Sequence, residues 1–305
     1  MKKLLSNLRS ASKPKTRRRQ RSIAALPAEA LEDRVLLSNV SVSLRNGDLR
    51  ITGDDNDNEV KVTQNTNAIV VEGLSGTTIN GSNLLIIATS EVPDDVRVSF
   101  AAGGENLLIL NQMIVGDDVN IKGGREADTI YFGRGTVADD INIRTGNGPD
   151  NIYVTAMDVE DLLSINTGSG RDKIVVGGTA AAAGALKVNA GQGSDEIFLT
   201  KLNVQGDTNL IAGAGNDDVF SSSFQTGDDL RASLGNGNDE FFAHTTLIAD
   251  DARLQGGGGT DAVQPDNTIV EGTVTTSSIE QTTVLDGLSR ASDLLARVMG
   301  SFPPL

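Results

Sequence analysis

Most of the chemistry this chain could do rests on residues that recur at near-constant spacing: Asn106, Asp128, Asp150, Asp172, Asp195, Asp217, Asp239 and Asp261. Every step is 22 residues except the one of 23 between Asp172 and Asp195. From Asp150 onward each anchor closes a Gly-x-Gly-x-Asp unit, as in Gly146-Asn147-Gly148-Pro149-Asp150 and Gly213-Ala214-Gly215-Asn216-Asp217. If successive units stack at the usual strand spacing of about 4.8 Å, neighbouring carboxylates repel by roughly 1 kcal/mol each even in water. A hard cation held among turn carbonyls and carboxylates would relieve that repulsion, and such an oxygen set is the environment calcium takes. Asp128, Asp150, Asp172, Asp195, Asp217, Asp239 and Asp261 are therefore candidate metal ligands, with calcium the candidate cofactor. A second explanation stays open: each aspartate hydrogen-bonds the backbone of its own turn, and the glycines supply positive φ. A further acidic row, Asp117-Asp118, Asp139-Asp140, Asp228-Asp229 and Asp250-Asp251, is expected to cap turns and face water.

Other site chemistries have few residues to draw on. The chain has no Cys and one His, so no thiolate metal site or disulfide framework exists. His244 follows Phe241-Phe242 and reads as a plain sheet position. With 3% aromatic residues and no Trp, the composition argues against a compact globular enzyme, whereas 34 Gly suit a chain of many turns.

The elements that position the anchors follow from hydropathy. Two residues after each anchor stands Leu108, Ile130, Ile152, Ile174, Ile197, Val219, Phe241 or Val263, and the fourth position is usually apolar too. That period of two marks a strand with one buried face. A second strand ends each unit, as in Ile141/Ile143, Leu163/Ile165 and Leu186/Val188, and Val115, Val137, Val159, Val204 and Ile248 form another inward row. One unit cannot bury its apolar face alone, so stacking must supply the core. The expected fold is all-β: a parallel β-helix or β-roll solenoid with about 22 residues per coil, an irregular N-terminal β cap and a short C-terminal helix.

Four segments follow. Residues 1–38 are a basic leader, 39–100 the cap, 101–270 the regular repeats, and 271–305 a strand and an amphipathic helix. In the cap, Asn46-Gly47 is a hairpin signal, and Gly53-Asp54-Asp55-Asn56-Asp57 is a degenerate copy of the repeat turn. The expected helix carries Val284, Leu288, Ala291, Leu295 and Val298 on one stripe, with Gly300 and Pro303 as its stop.

The third position after the anchor should point outward, yet it reads Ile109, Tyr131, Tyr153, Val175, Phe198, Phe220 and Phe242. Tyr131, Tyr153, Phe198, Phe220 and Phe242 are thus a candidate interaction surface. Cover by another part of the chain, self-association and ligand binding are the open readings, and the C-terminal stripe is one candidate cover.

Charge is segregated. The net charge is −15, and about −24 once the nine cations between Lys2 and Arg21 are set aside. An acidic body with so few aromatics is not a nucleic-acid binder, and no stretch is apolar enough for a transmembrane helix. After the basic head comes Leu31-Glu32-Asp33-Arg34-Val35-Leu36-Leu37-Ser38. It resembles the Leu-Glu-Pro-Arg-x-Leu-Leu segment that follows an Arg-rich leader in exported and surface proteins of planctomycete-type bacteria, with Asp33 in place of Pro. The Gly-x-Gly-x-Asp units resemble the hemolysin-type calcium-binding repeat of secreted RTX proteins over about residues 102–265. That repeat is about nine residues long and marks both edges of its coil; here the motif comes once per 22, its leading glycine survives only as Gly123 and Gly256, and Glu126 replaces one motif glycine.

These resemblances imply an exported, cell-surface or extracellular protein. The expected function is a non-enzymatic structural or adhesive solenoid whose partner is a cell-surface or extracellular matrix component, or a second copy. The alternatives are a carbohydrate- or partner-binding module that uses the aromatic stripe and, third, a polysaccharide-acting β-helix enzyme. The last would need convergent charges in a groove of long loops, and the uniform coils leave almost no insertions to build one.

Overall fold

The computed structural model describes residues 38–88 and 93–282. The expected leader, apart from Ser38, and the expected C-terminal helix lie outside the described residues. Ser38, placed in the leader by sequence, is buried and donates its hydroxyl to Thr77 at 2.9 Å. Among the described residues every regular element is a strand.

The fold is a parallel β-solenoid of about eight turns. Each regular coil has a bent first strand and a straight second one. Glu196–Val204 lies parallel to Asp218–Thr226, with Ile197 facing Val219, and that strand in turn faces Glu240–Ile248. Thr208–Ala214, Leu230–Asn236 and Ala252–Gly258 build the second sheet in the same register. Equivalent side chains therefore stack in ladders. Ile152, Ile174, Ile197, Val219 and Phe241 are at most 2% exposed, and all the inward ladders merge into one apolar cluster from Val40 to Val263.

The bend in the first strand falls six residues after the anchor, where Lys201, Ser223 and Thr245 take φ of 50°, 52° and 49°. A left-handed conformation costs a non-glycine residue roughly 1–2 kcal/mol; stacking of the strands on either side of the bend holds it there. The 23-residue step is accommodated close by. Thr155 faces Gly177, Asp158 faces Ala182, and the register settles again by Leu163 and Leu186. The extra residue thus forms a bulge inside Lys173–Gln192.

Glycine matters most at the edge that holds the anchors. At Gly213 (φ 126°) and Gly215 (φ 135°) an added Cβ would collide with the carbonyl oxygens of Gly191 and Gly193 in the preceding coil. The coils approach there through bare backbone, and Gly215 N–H donates to Asn236 O at 2.7 Å.

The N-terminal region is the irregular cap expected from sequence, and it closes the stack with hairpins. Asn39–Arg45 and Asp48–Thr52 pair antiparallel through Asn46 (φ 52°) and Gly47 (φ 87°), the two positive-φ residues of a tight primed turn. Asp48–Thr52 then pairs parallel to Val96–Ser99 on one sheet. On the other, Glu59–Asn65 pairs parallel to Asn106–Asn111 and antiparallel to Ala68–Gly73. Reversing the chain in this way ends the stack in short antiparallel strands.

This register predicts the unit of deletion. Removing residues 151–172 joins Asp150 to Lys173 and keeps every ladder in phase, so the protein should still unfold cooperatively, at a lower Tm. Removing 151–161 puts Leu162 after the Asp150 turn and withdraws Ile152 and Val154 from their ladders, each worth about 1.5–3 kcal/mol when buried. Its Tm should fall further. Equal melting of the two variants would refute the 22-residue coil.

Candidate functional site

All seven predicted aspartates come together, as a single ladder inside one edge of the solenoid. The backbone N–H of Asp128 donates to Oδ1 of Asp150 at 2.8 Å, Asp150 to Asp172 at 2.8 Å, and Asp172 to Asp195 at 2.8 Å. Asp195 to Asp217, Asp217 to Asp239 and Asp239 to Asp261 continue it at 2.8, 2.9 and 3.1 Å. Each anchor carbonyl in turn accepts from the coil that follows, as Asp150 O does from Lys173 N–H at 2.8 Å. The carboxylates thus bind the neighbouring coil rather than their own turn. Asp128 does both, its Oδ2 accepting from Gly124 N–H at 2.7 Å.

The ladder has chemically distinct ends. Asn106 donates Nδ2–H to Asp128 Oδ1 at 2.7 Å and accepts on Oδ1 from the backbone and side chain of Asn58 at 3.2 and 2.9 Å. At the far end Asp261 N–H donates to Glu280 Oε2 at 2.8 Å. Asn58 and Glu280 escape a search at fixed period, because the cap and the last coil depart from 22 residues. Asn58 was still signalled by the degenerate turn at Gly53–Asp57, which it closes.

All seven aspartates are at most 1% exposed, and Oδ2 of Asp150, Asp172, Asp195, Asp217, Asp239 and Asp261 meets no hydrogen-bond donor. Thr145 and Thr167 stand beside Asp150 and Asp172, but their hydroxyls donate to the carbonyls of Thr167 and Ala190, at 3.4 and 3.0 Å. Burial pushes the carboxyls of Asp150 and Asp217 up to about 7 and that of Asp195 to about 6, against the pull of the backbone N–H groups. Asp128, Asp172 and Asp239 are raised for the same reason. Protons retained near neutrality on Asp150 and Asp217 reduce the repulsion along the ladder.

The opposite edge is wetter. Asp140 N–H donates to Asp118 Oδ1 at 3.3 Å, Leu162 N–H to Asp140 Oδ1 at 3.0 Å, and Thr273 N–H to Asp251 Oδ1 at 2.7 Å, so these acids cap turns as expected. They also converge across coils. Asp117, Asp118 and Asp139, then Asp139, Asp140 and Asp161, then Asp229, Asp250 and Asp251 bring carboxylate oxygens within 4.8 Å of one another, and each group could hold a metal ion. Asp139 belongs to two of them. Partial burial and then the charges of Asp140, Asp118, Asp117 and Asp161 raise its carboxyl above the ordinary range. The sequence supplied both acidic rows; what it did not show is that carboxylates of the outer row converge from successive coils.

The aromatic stripe is covered rather than open. Tyr153, Val175, Phe198, Phe220 and Phe242 are 0–4% exposed and form an apolar cluster apart from the main core. Tyr131 stacks on Tyr153 with centroids 4.6 Å apart, and Phe220 on Phe242 at 5.4 Å. His244 occupies the sheet position expected of it, with Nδ1 2.7 Å from Asp266 Oδ2 in the next coil. Two surface grooves accompany these features. One of about 320 Å³ lies over the second sheet among Arg97, Lys122 and Arg144. The other, about 510 Å³, is lined by Glu59, Glu105, Ile109 and Tyr131, where the stripe emerges.

Comparison with protein-family models, with curated proteins and with solved structures finds no match to this chain. Among the described residues no helix is long and apolar enough to cross a membrane.

The buried ladder predicts a pH dependence. Its carboxyls have folded-state pKa values above the ordinary 3.8, so the folded protein holds these protons more tightly than the unfolded chain. That stabilisation is complete below about pH 4 and is lost as pH rises through about 6 to 7. In chelator at fixed ionic strength, Tm should fall between about pH 5 and pH 8. Asp217→Asn keeps the Oδ1 acceptor without the charge and should flatten the profile. Asp217→Ala instead orphans Asp195 N–H and should cost about 1–3 kcal/mol at every pH. An unchanged profile in Asp217→Asn would show that Asp217 does not titrate in this range.

Proposed function

We propose that this chain is an exported, acidic β-solenoid that serves as a structural or adhesive module at a cell surface or in extracellular material, without catalytic activity. The observation that carries this reading is the regularity of the stack. Coil after coil repeats the same two strands, paired parallel and in one register with the coil before. A surface built this way is long, stiff and repetitive, which suits spacing or many weak contacts. The basic leader and the Leu-Glu-Asp-Arg-Val-Leu-Leu segment support export. A binding module that relies on the aromatic stripe gains no support from a stripe that is buried.

Calcium belongs to this proposal as a stiffening ion. The solvent-facing groups Asp117/Asp118/Asp139, Asp139/Asp140/Asp161 and Asp229/Asp250/Asp251 offer reachable oxygens from adjacent coils. Water would complete the coordination of a large, adaptable cation there. In the Asp128 to Asp261 ladder, an ion would have to shed its hydration and compete with backbone donors already bound to Oδ1. The reading therefore assigns calcium to the outer edge and structural hydrogen bonding to the inner one.

Ions that bind only the folded coils raise stability by mass action. At matched ionic strength, millimolar calcium should raise Tm relative to chelator. Asp139→Asn, which weakens two groups at once, should remove much of that gain; Asp172→Asn should leave it nearly intact. No calcium-dependent shift would refute calcium as the stiffening ion, and loss of the gain in Asp172→Asn alone would move the ions to the buried ladder.

A further inference from the structure

Two neighbouring rows on this acidic solenoid carry cations and no acid. Beyond the acids at its start, the second strand of each coil shows two outward rows, in register from coil to coil. One runs from Arg50 and Arg97 to Arg231, Arg253 and Thr275. The other, two residues further on, runs from Thr52 and Ser99 through Lys122 and Arg144 to Gln255 and Ser277. Neither row contains an Asp or Glu, although the chain has 41 acids against 26 Lys and Arg. Arg50, Arg97 and Arg231 reach back to Asp48, Asp95, Asp207 and Asp229 at the strand starts. Lys122, Arg144, Lys187 and Arg253 are exposed and form no ion pair among the described residues.

Lys122 and Arg144 are the sharpest case. They face each other in adjacent coils, about 4.8 Å apart along the stack. Both line the groove of about 320 Å³, with Arg97, Asn120 and Asn142 also in its wall. Back along the strands the first acids are Asp118 and Asp140, four residues away, or about 13 Å at strand rise. That exceeds the Debye length of about 8 Å at physiological ionic strength, so the acidic edge does not cancel their field. Forward of them Glu126 is offset by Arg125, and Asp128 and Asp150 are buried in the ladder. Two like charges held side by side without a counter-charge make an anion site.

The surroundings define the anion. Asn120 and Asn142 occupy one row and Asn166 and Asn189 the other, in register with the cations. An amide both donates and accepts, which is what a hydroxyl-rich ligand needs. Neither row holds an aromatic side chain on which a nucleic-acid base could stack.

We infer that the outer face of the second sheet binds an acidic polysaccharide laid along the stack, its carboxylate or sulfate groups on Lys122 and Arg144 and its hydroxyls on the flanking amides. Contacts repeated at coil spacing add as avidity. This goes beyond a structural or adhesive role and requires neither export nor calcium; its failure would leave that role standing on the regularity of the stack.

Affinity electrophoresis of the full chain tests it, in chelator so that calcium cannot bridge acidic polymers to the outer edge. Polygalacturonate or dextran sulfate cast in the gel should retard the chain, and neutral dextran should not; which of the two acts separates carboxylate from sulfate. Lys122→Gln/Arg144→Gln should weaken the apparent affinity several-fold at unchanged Tm. Asn142→Asp, which adds an acid beside Arg144 and removes no cation, should weaken it too. Lys61→Gln/Arg134→Gln removes the same charge from the first strands and should leave it nearly unchanged. No retardation by either acidic polymer, or equal loss in the two cation pairs, would overturn the inference. So would stronger retardation by a single-stranded oligothymidylate, or a dimer-to-monomer change in sedimentation caused by Lys122→Gln/Arg144→Gln, since nucleic acid or a second copy would then be the occupant.

Discussion

Where each coil turns from Gly-x-Gly into its first strand, the backbone N–H of the anchor is buried and has left the sheet ladder. An unpaired buried N–H costs about as much as a lost hydrogen bond or more. The acceptor is Oδ1 of the aspartate one coil further on, and it is available only if that residue is short, correctly placed and repeated at the coil period. Much of the rest follows from this constraint. The 22-residue period keeps donor and acceptor in line. The flanking glycines let the backbones approach closely enough to make the bond. At the one 23-residue step, the extra residue is expelled into a bulge on the far side of the first strand, and Asp172 still reaches Asp195 at 2.8 Å.

The same requirement explains the chemistry at the ends. A carboxylate can accept but not donate, so a ladder of aspartates needs something different where it begins. Asn106 and Asn58 provide side-chain donors at that end. Glu280 provides the last acceptor, its longer side chain spanning the irregular final coil. The arrangement leaves a row of Oδ2 atoms without donors, and its burial raises the carboxyls of Asp150 and Asp217 toward neutrality. On the outer edge aspartates also cap turns, but there they remain hydrated and converge in groups. One residue type thus stands in two settings: a buried rung inside, and outside a convergent acid that water can reach.

The stripe illustrates how a repeat protein can bury both faces of one sheet. Inward ladders are assured by coil closure, whereas outward rows are buried only if another segment lies across many coils at once. An aromatic row is well suited to that role, since stacked rings such as Tyr131–Tyr153 and Phe220–Phe242 present a continuous apolar surface without gaps between coils.

Much of this molecule was legible in residue order because a solenoid is built from local rules repeated. The period, the inward ladders such as Ile152–Ile174–Ile197, the Asn46-Gly47 hairpin and the anchors at Asp128 to Asp261 all depend on spacing along the chain, and stacking preserves that spacing in space. Tertiary structure decided what spacing cannot encode: in which direction a side chain bonds, and how much water reaches it. Spacing alone does not say whether an anchor's Oδ1 accepts from its own turn or from a neighbouring coil; the position of the neighbouring backbone N–H does. Likewise, the pairs at Asp117-Asp118 and Asp139-Asp140 read as isolated turn caps until stacking brings carboxylates from successive coils within 4.8 Å. Hydrogen-bond direction and solvent access arise between coils, so they belong to the assembled stack and to no single repeat.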